Sequence, residues 1–165
     1  MKNLLTLAFL LTVGLYSNSF GQWIPGPPPA GYYPIYRLYN HSLGKHLLTS
    51  TIEAQNLQSS GWVNETLMGY SKQSGSIPIY RFYSNASGHF FSTNATTPSG
   101  YVFEGIAAYG ASGAGPLADG MGRAIYKYTR KKGGVRHLYT SSYGEMGGGN
   151  ADWLYEGIAF YLFIL

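Results

Sequence analysis

One short run of residues occurs three times in this chain. Pro34-Ile35-Tyr36-Arg37-Leu38-Tyr39 returns as Pro78-Ile79-Tyr80-Arg81-Phe82-Tyr83 and again as Ala124-Ile125-Tyr126-Lys127-Tyr128-Thr129. A second run follows each: His46-Leu47-Leu48-Thr49, His89-Phe90-Phe91-Ser92 and His137-Leu138-Tyr139-Thr140. A third aligns over ten positions without a gap, beginning at Gly61-Trp62, Gly100-Tyr101 and Asp152-Trp153 and ending at Tyr70, Tyr109 and Tyr161. Repeats of about 45 residues cannot bury an aromatic face alone, so they must share one core. The runs are rich in aromatic and branched residues, and the turns between them hold Gly, Asn and Ser, which predicts strands joined by hairpins.

The expected fold is therefore all-β with at most one or two short helices. Its three units, 34–77, 78–123 and 124–165, form a single domain over 34–165. A pseudo-threefold β-trefoil-like barrel is the first expectation, because closure removes free sheet edges. Only three strands per unit are evident where a trefoil has four, so a three-bladed, propeller-like arrangement is the alternative. Between the second and third runs the copies differ. Ser50-Thr51-Ile52-Glu53 is a capping-box pattern that predicts a short helix through Gln58. Pro98 blocks a helix in the second copy, and Gly144 to Gly149 predicts loop in the third.

The flanks predict export. Lys2 followed by the apolar run Leu4 to Tyr16 is too short to span a bilayer, and Ser19-Phe20-Gly21 ends as a signal peptide does. Residues 1–21 are the expected signal peptide, and 22–33 a Pro/Gly-rich linker with extended polyproline character. The expected localisation is secreted or extracellular, with no membrane span after cleavage. Cysteine is absent, which excludes thiol catalysis and cysteine-held metals and leaves stability to a largely aromatic core. The net charge is +4, and losing Lys2 leaves 10 basic against 7 acidic side chains, or +3. That balance argues against nucleic acid, which needs a concentrated basic face; Arg130-Lys131-Lys132 with Arg136 is expected to be a solvated loop tip.

Each unit carries one basic residue (Arg37, Arg81, Lys127), one histidine (His46, His89, His137) and one glutamate (Glu65, Glu104, Glu156). One reading makes these a repeated ligand pocket beside Trp62, Tyr101 and Trp153: sugar hydroxyls take planar charged partners while a ring covers the apolar sugar face. The other, which repetition itself favours, pairs glutamate with the basic residue or histidine of its own unit to hold strand register. Tyr32, Tyr33 and Tyr143 join the rim aromatics, although burial is the expectation for Trp62 and Trp153. The histidines could converge on an axis as a metal site or point outward; no other ligand pattern supports a metal. No G-x-S-x-G, H-E-x-x-H or phosphate loop occurs, and no cofactor is implied. Asn40, Asn64, Asn85 and Asn94 head N-x-S/T triplets; Asn40, Asn85 and Asn94 are the candidate glycosylation sites, since Asn64 lies inside a strand.

The combined pattern, I-Y-R-F-Y, then G-H-F-F-S, then G-Y-V-F-E-G-I-A, resembles an uncharacterised family of secreted repeat domains. The family's unit looks like Y-R-F-Y-N, H-F-Y-T and G-W-x-Y-E-G-I-A-F-Y. The resemblance implies an extracellular module, often attached to secreted hydrolases, without an activity to carry over. Thr66 and Met68 stand where the family has glycine and alanine, and Lys127 stands for arginine, so any three sites are not equivalent. The leading expectation is a non-catalytic module for carbohydrate or a cell-wall polymer. A structural or adhesive domain that binds an extracellular protein is second, and an enzyme such as a glycoside hydrolase third.

Overall fold

The opening strand of every copy is the middle strand of its unit. In the computed structural model, which describes residues 27–75, 77–117 and 120–165, β1 (Tyr32–Asn40) pairs antiparallel with β2 (Lys45–Ser50) on one side and β3 (Trp62–Lys72) on the other. The second unit repeats this with β4 (Ile77–Ser84) between β5 (Gly88–Ser92) and β6 (Val102–Gly110). In the third, β8 (Gly120–Arg130) lies between β9 (His137–Thr140) and β10 (Trp153–Ile164). The class is all-β. Helix α1 (Thr51–Leu57) and a 3-10 turn at Gln58–Ser60 follow β2, as the sequence predicts. Its capping box does not form: the Ser50 side chain caps nothing, because Glu53 is drawn to Arg81. The expected signal peptide and residues 22–26 of the linker lie outside the described residues.

Two boundaries differ from expectation for reasons of pairing. β1 begins at Tyr32 rather than Pro34, since Tyr32 and Tyr33 lie opposite Lys72 and Ser71. The glycine-rich connection holds a short strand, β7 (Gly115–Leu117), which makes a hairpin with the start of β8. Another 3-10 turn, Tyr143–Glu145, interrupts the glycine-rich loop before β10.

The units meet one another pairwise at equivalent places. Among the third strands, Lys72 lies opposite Tyr109, Tyr70 opposite Phe163, and Ala111 bridges to Tyr161. The backbones come so close that a Cβ on Gly110 would sit 2.2 Å from the Tyr161 carbonyl oxygen, so only glycine fits there. β2, β5 and β9 also touch pairwise. Leu48, Phe91 and Tyr139 from these strands join Ile35, Ile79 and Ile125 from the middle strands in one core. Each such buried side chain contributes about 1.5–3 kcal/mol. Tyr139 stitches units two and three: its hydroxyl donates to the Phe91 carbonyl and accepts from the Phe91 N–H, at 3.1 and 2.9 Å. Burial pushes its phenol pKa far up, so it stays a donor.

The sheet does not close into the expected trefoil-like barrel. Its order is β5-β4-β6-β3-β10-β8-β7, with β1, β2 and β9 branching from that path. Units of three strands lack the fourth that would continue the ladder. Among the described residues the third strands meet one another only at their C-terminal ends.

Candidate functional site

The repeated glutamate stands on a β-bulge in all three units. Pairing runs Arg37 to Thr66 and then Leu38 to Asn64, so Glu65 faces no partner residue; Glu104 and Glu156 are skipped in the same way. A second bulge follows at Met68, Ala107 and Ala159. A bulge adds a residue and re-aims its side chain. Here it turns the carboxylate toward the basic residue on the adjacent middle strand.

Three equivalent ion pairs result. Glu65 Oε2 accepts from Arg37 Nε at 2.7 Å, Glu104 Oε2 lies 2.9 Å from Arg81 Nε, and Glu156 Oε2 lies 2.5 Å from Lys127 Nζ. The histidines of units one and two join the same carboxylates, with His46 Nε2 3.6 Å from Glu65 and His89 Nε2 3.5 Å from Glu104. His137 differs: its Nε2 is hydrogen-bonded to the Tyr101 hydroxyl at 2.8 Å and its Nδ1 to the Thr129 hydroxyl at 3.1 Å. The histidines engage their own surroundings rather than one another. Among the described residues no group of three or more His, Cys, Asp or Glu is placed to hold a metal ion.

All three imidazoles are held down to a pKa of about 4. Burial is the chief cause, and the cation beside each (Arg37, Arg81 or Lys127) adds to it. They are therefore neutral at pH 7, and their contacts with glutamate are polar contacts rather than ion pairs.

Residues 53 and 145 complete the geometry and were absent from the set singled out in the sequence. Glu53, on α1 of unit one, takes Arg81 Nη1 of unit two at 2.8 and 3.0 Å and accepts from Thr49. Glu145, in the 3-10 turn of unit three, takes Arg37 Nη1 and Nη2 of unit one at 3.1 and 3.0 Å and accepts from Thr140. Units one and three thus each lend a carboxylate to the next, and the signal was a Thr-to-Glu step just after the second strand. Unit two has Ser92 there with no glutamate after it. Lys127 instead lies 4.4 Å from the centre of the Phe90 ring. Desolvation alone would raise Glu53 and Glu145, yet their hydroxyl and guanidinium partners outweigh it and hold both carboxyls below their ordinary range.

Trp62 is buried, its ring 6.3 Å from His89 of the next unit. Tyr101 is half-buried against Phe90 and His137, and Trp153 is half-buried. Asn40 is buried, donating to the Ser60 carbonyl and accepting from the Leu43 N–H, whereas Asn85 and Asn94 are exposed. In the basic loop, Arg136 donates to the Ala86 carbonyl and Lys131 to the Asn150 carbonyl.

The junction of units one and two is open. A cleft of about 540 Å³ there is lined by Tyr33, the stretch Leu48 to Glu53, Arg81, and Glu104 to Ala107. A second, of about 300 Å³, lies between Leu43, Lys45, Leu47, Leu57, Trp62, Tyr83 and His89. Glu53, Arg81 and Glu104 line both.

A profile of one protein family matches the chain over residues 22–111 and again over 92–163. No curated protein matches, and no solved structure does.

Proposed function

We propose, for a chain that belongs to the family described as a domain of unknown function (DUF5648), that it is a secreted, non-catalytic module that binds carbohydrate. The observation that carries this is the cleft between units one and two. Its size suits a small-molecule site, and hydroxyls of Thr49, Ser50 and Thr51 stand with two carboxylates and a guanidinium beside Tyr33. A partly exposed carboxylate bonded to Arg81 keeps lone pairs for sugar hydroxyls. Glycoside hydrolysis needs one protonated carboxyl as general acid. Glu53 is held ionised, which favours binding over catalysis.

We read the three units as arranged about a pseudo-threefold axis, the propeller-like alternative, and the pairwise contacts of their third strands support that. No helix among the described residues is long and apolar enough to cross a membrane.

The second reading is an adhesive surface for another extracellular protein. Val63, Val102 and Leu154 hold one repeat position and are all exposed, and repeated outward aliphatic residues suit a protein partner. A polysaccharide panel with free-sugar competition separates the two. Retention on at least one insoluble polysaccharide, released by its own soluble oligosaccharide, is the expected result. Failure to bind any polysaccharide, with saturable binding to an extracellular protein, replaces the first reading by the second.

A further inference from the structure

The three junctions share one repeated pattern but are not lined alike: a cleft of about 240 Å³ between units two and three, around Ile79, Ala111 and Phe160, holds no charged side chain, whereas both clefts between units one and two do. At the junction of units three and one, Arg37 is 7 % exposed and is fully engaged by Glu65, Glu145 and the Tyr139 carbonyl. At the junction of units two and three, Phe90 replaces Leu47 and Tyr101 replaces Trp62. The Phe90 ring lies 5.3 Å from His137 and 5.8 Å from Tyr101, covering Lys127. At the junction of units one and two the smaller Leu47 leaves the second cleft open, and the Arg81 side chain is 20 % exposed. Glu53, Arg81 and Glu104 form a waist between the two clefts, so a ligand crossing it touches both.

Charge narrows the ligand class. Two carboxylates face one guanidinium at the waist. His89 is neutral at pH 7, and the Lys45 ammonium is committed to the Asn85 carbonyl, over the Tyr83 ring. With Lys45 lining the second cleft, two carboxylates balance two cations, so the site offers no net positive charge to hold uronates or sulfated sugars.

We infer that the chain has one glycan site, between units one and two, and that its ligand is a linear oligosaccharide without acidic groups, lying across the Arg81 waist with sugar rings in both clefts. The inference rests on the carbohydrate reading above and narrows it to one site and one class. At the other two junctions the equivalent cation is covered, Lys127 by the Phe90 ring and Arg37 by its contacts with Glu145 and the Tyr139 carbonyl.

The test is calorimetric titration of the whole exported chain with cellohexaose, chitohexaose and hexagalacturonate. One of the two uncharged hexasaccharides binds with a stoichiometry of one, and hexagalacturonate does not bind. Glu53→Gln weakens binding about tenfold, whereas Glu145→Gln, its counterpart at a closed junction, changes it less than twofold. Should either variant unfold, amide shifts of the unaltered chain under the same titration decide. They are expected at residues 48–53 and 104–107 and absent around Arg37 and Lys127. A stoichiometry of two or three, binding of hexagalacturonate, or shifts centred on another junction overturns this inference and leaves the carbohydrate reading standing. Binding of none of the three sugars, with none retained in the polysaccharide panel, overturns both.

Discussion

His46, His89 and His137 sit where burial and a neighbouring cation keep them neutral, and this makes the fold sensitive to acid. In the unfolded chain an imidazole takes its proton near its ordinary value of 6.5, while in the folded chain it waits until about 4. Between those values the unfolded state binds more protons, so stability falls as pH drops through that window and levels off below it. Each histidine contributes roughly 2 kcal/mol to the loss, since their side chains are largely shielded from water. Glu53, Glu145 and Glu156, all held below their ordinary range, give stability that is present above their unfolded value and is lost at still lower pH. The urea midpoint is therefore expected to fall clearly between pH 7 and pH 5. A midpoint flat over that interval contradicts the neutral, buried state of the three rings.

At the level of elements, the bulged third strand is the device that builds each polar cluster. The residue after the bulged glutamate is Gly105 in unit two and Gly157 in unit three, at φ of +122° and +103°. A side chain at Gly157 meets no atom within 4 Å, so Gly157→Ala is strained by its backbone alone and is expected to cost about 1–2 kcal/mol. Gly110→Ala meets a carbonyl oxygen of the neighbouring unit and is expected to cost more. Denaturant midpoints of the two variants rank these costs, and the reverse order refutes the assignment of backbone strain to one and collision to the other. The Glu-Gly pairs in two of three copies were visible in the sequence. Their meaning was not, because a bulge is a relation between two strands and leaves no periodicity in either one.

For the molecule as a whole, the link between first and last units is Arg37, which joins Glu65 of its own unit to Glu145 and Tyr139 of the third. Removing one member of a buried ionic network strands its partners, so Arg37→Met is expected to lose about 3 kcal/mol. Arg81→Met, at the open junction where water reaches the freed carboxylates, is expected to lose less. Hydrogen exchange should report the difference locally: Arg37→Met speeds exchange where Tyr70 meets Phe163, and Arg81→Met leaves it slow. Equal losses from the two variants are incompatible with one closed and one open junction.

Triplication, the all-β class, the three strands per unit and the presence of one basic residue, histidine and glutamate in each copy are all local regularities, and a single chain displays them without its partners. Even the meeting of the basic residue and glutamate within each unit, joined by the histidine in units one and two, follows from strand pairing over short separations. The trans carboxylates are another matter. Arg37 and Glu145 lie 108 positions apart, and nothing near either one announces the other. Whether the sheet closes, how each junction is lined, and where each carboxylate points depend on how three unequal units pack against each other. Phe90 stands where the other two units have leucine, and only the assembled fold brings that ring over Lys127.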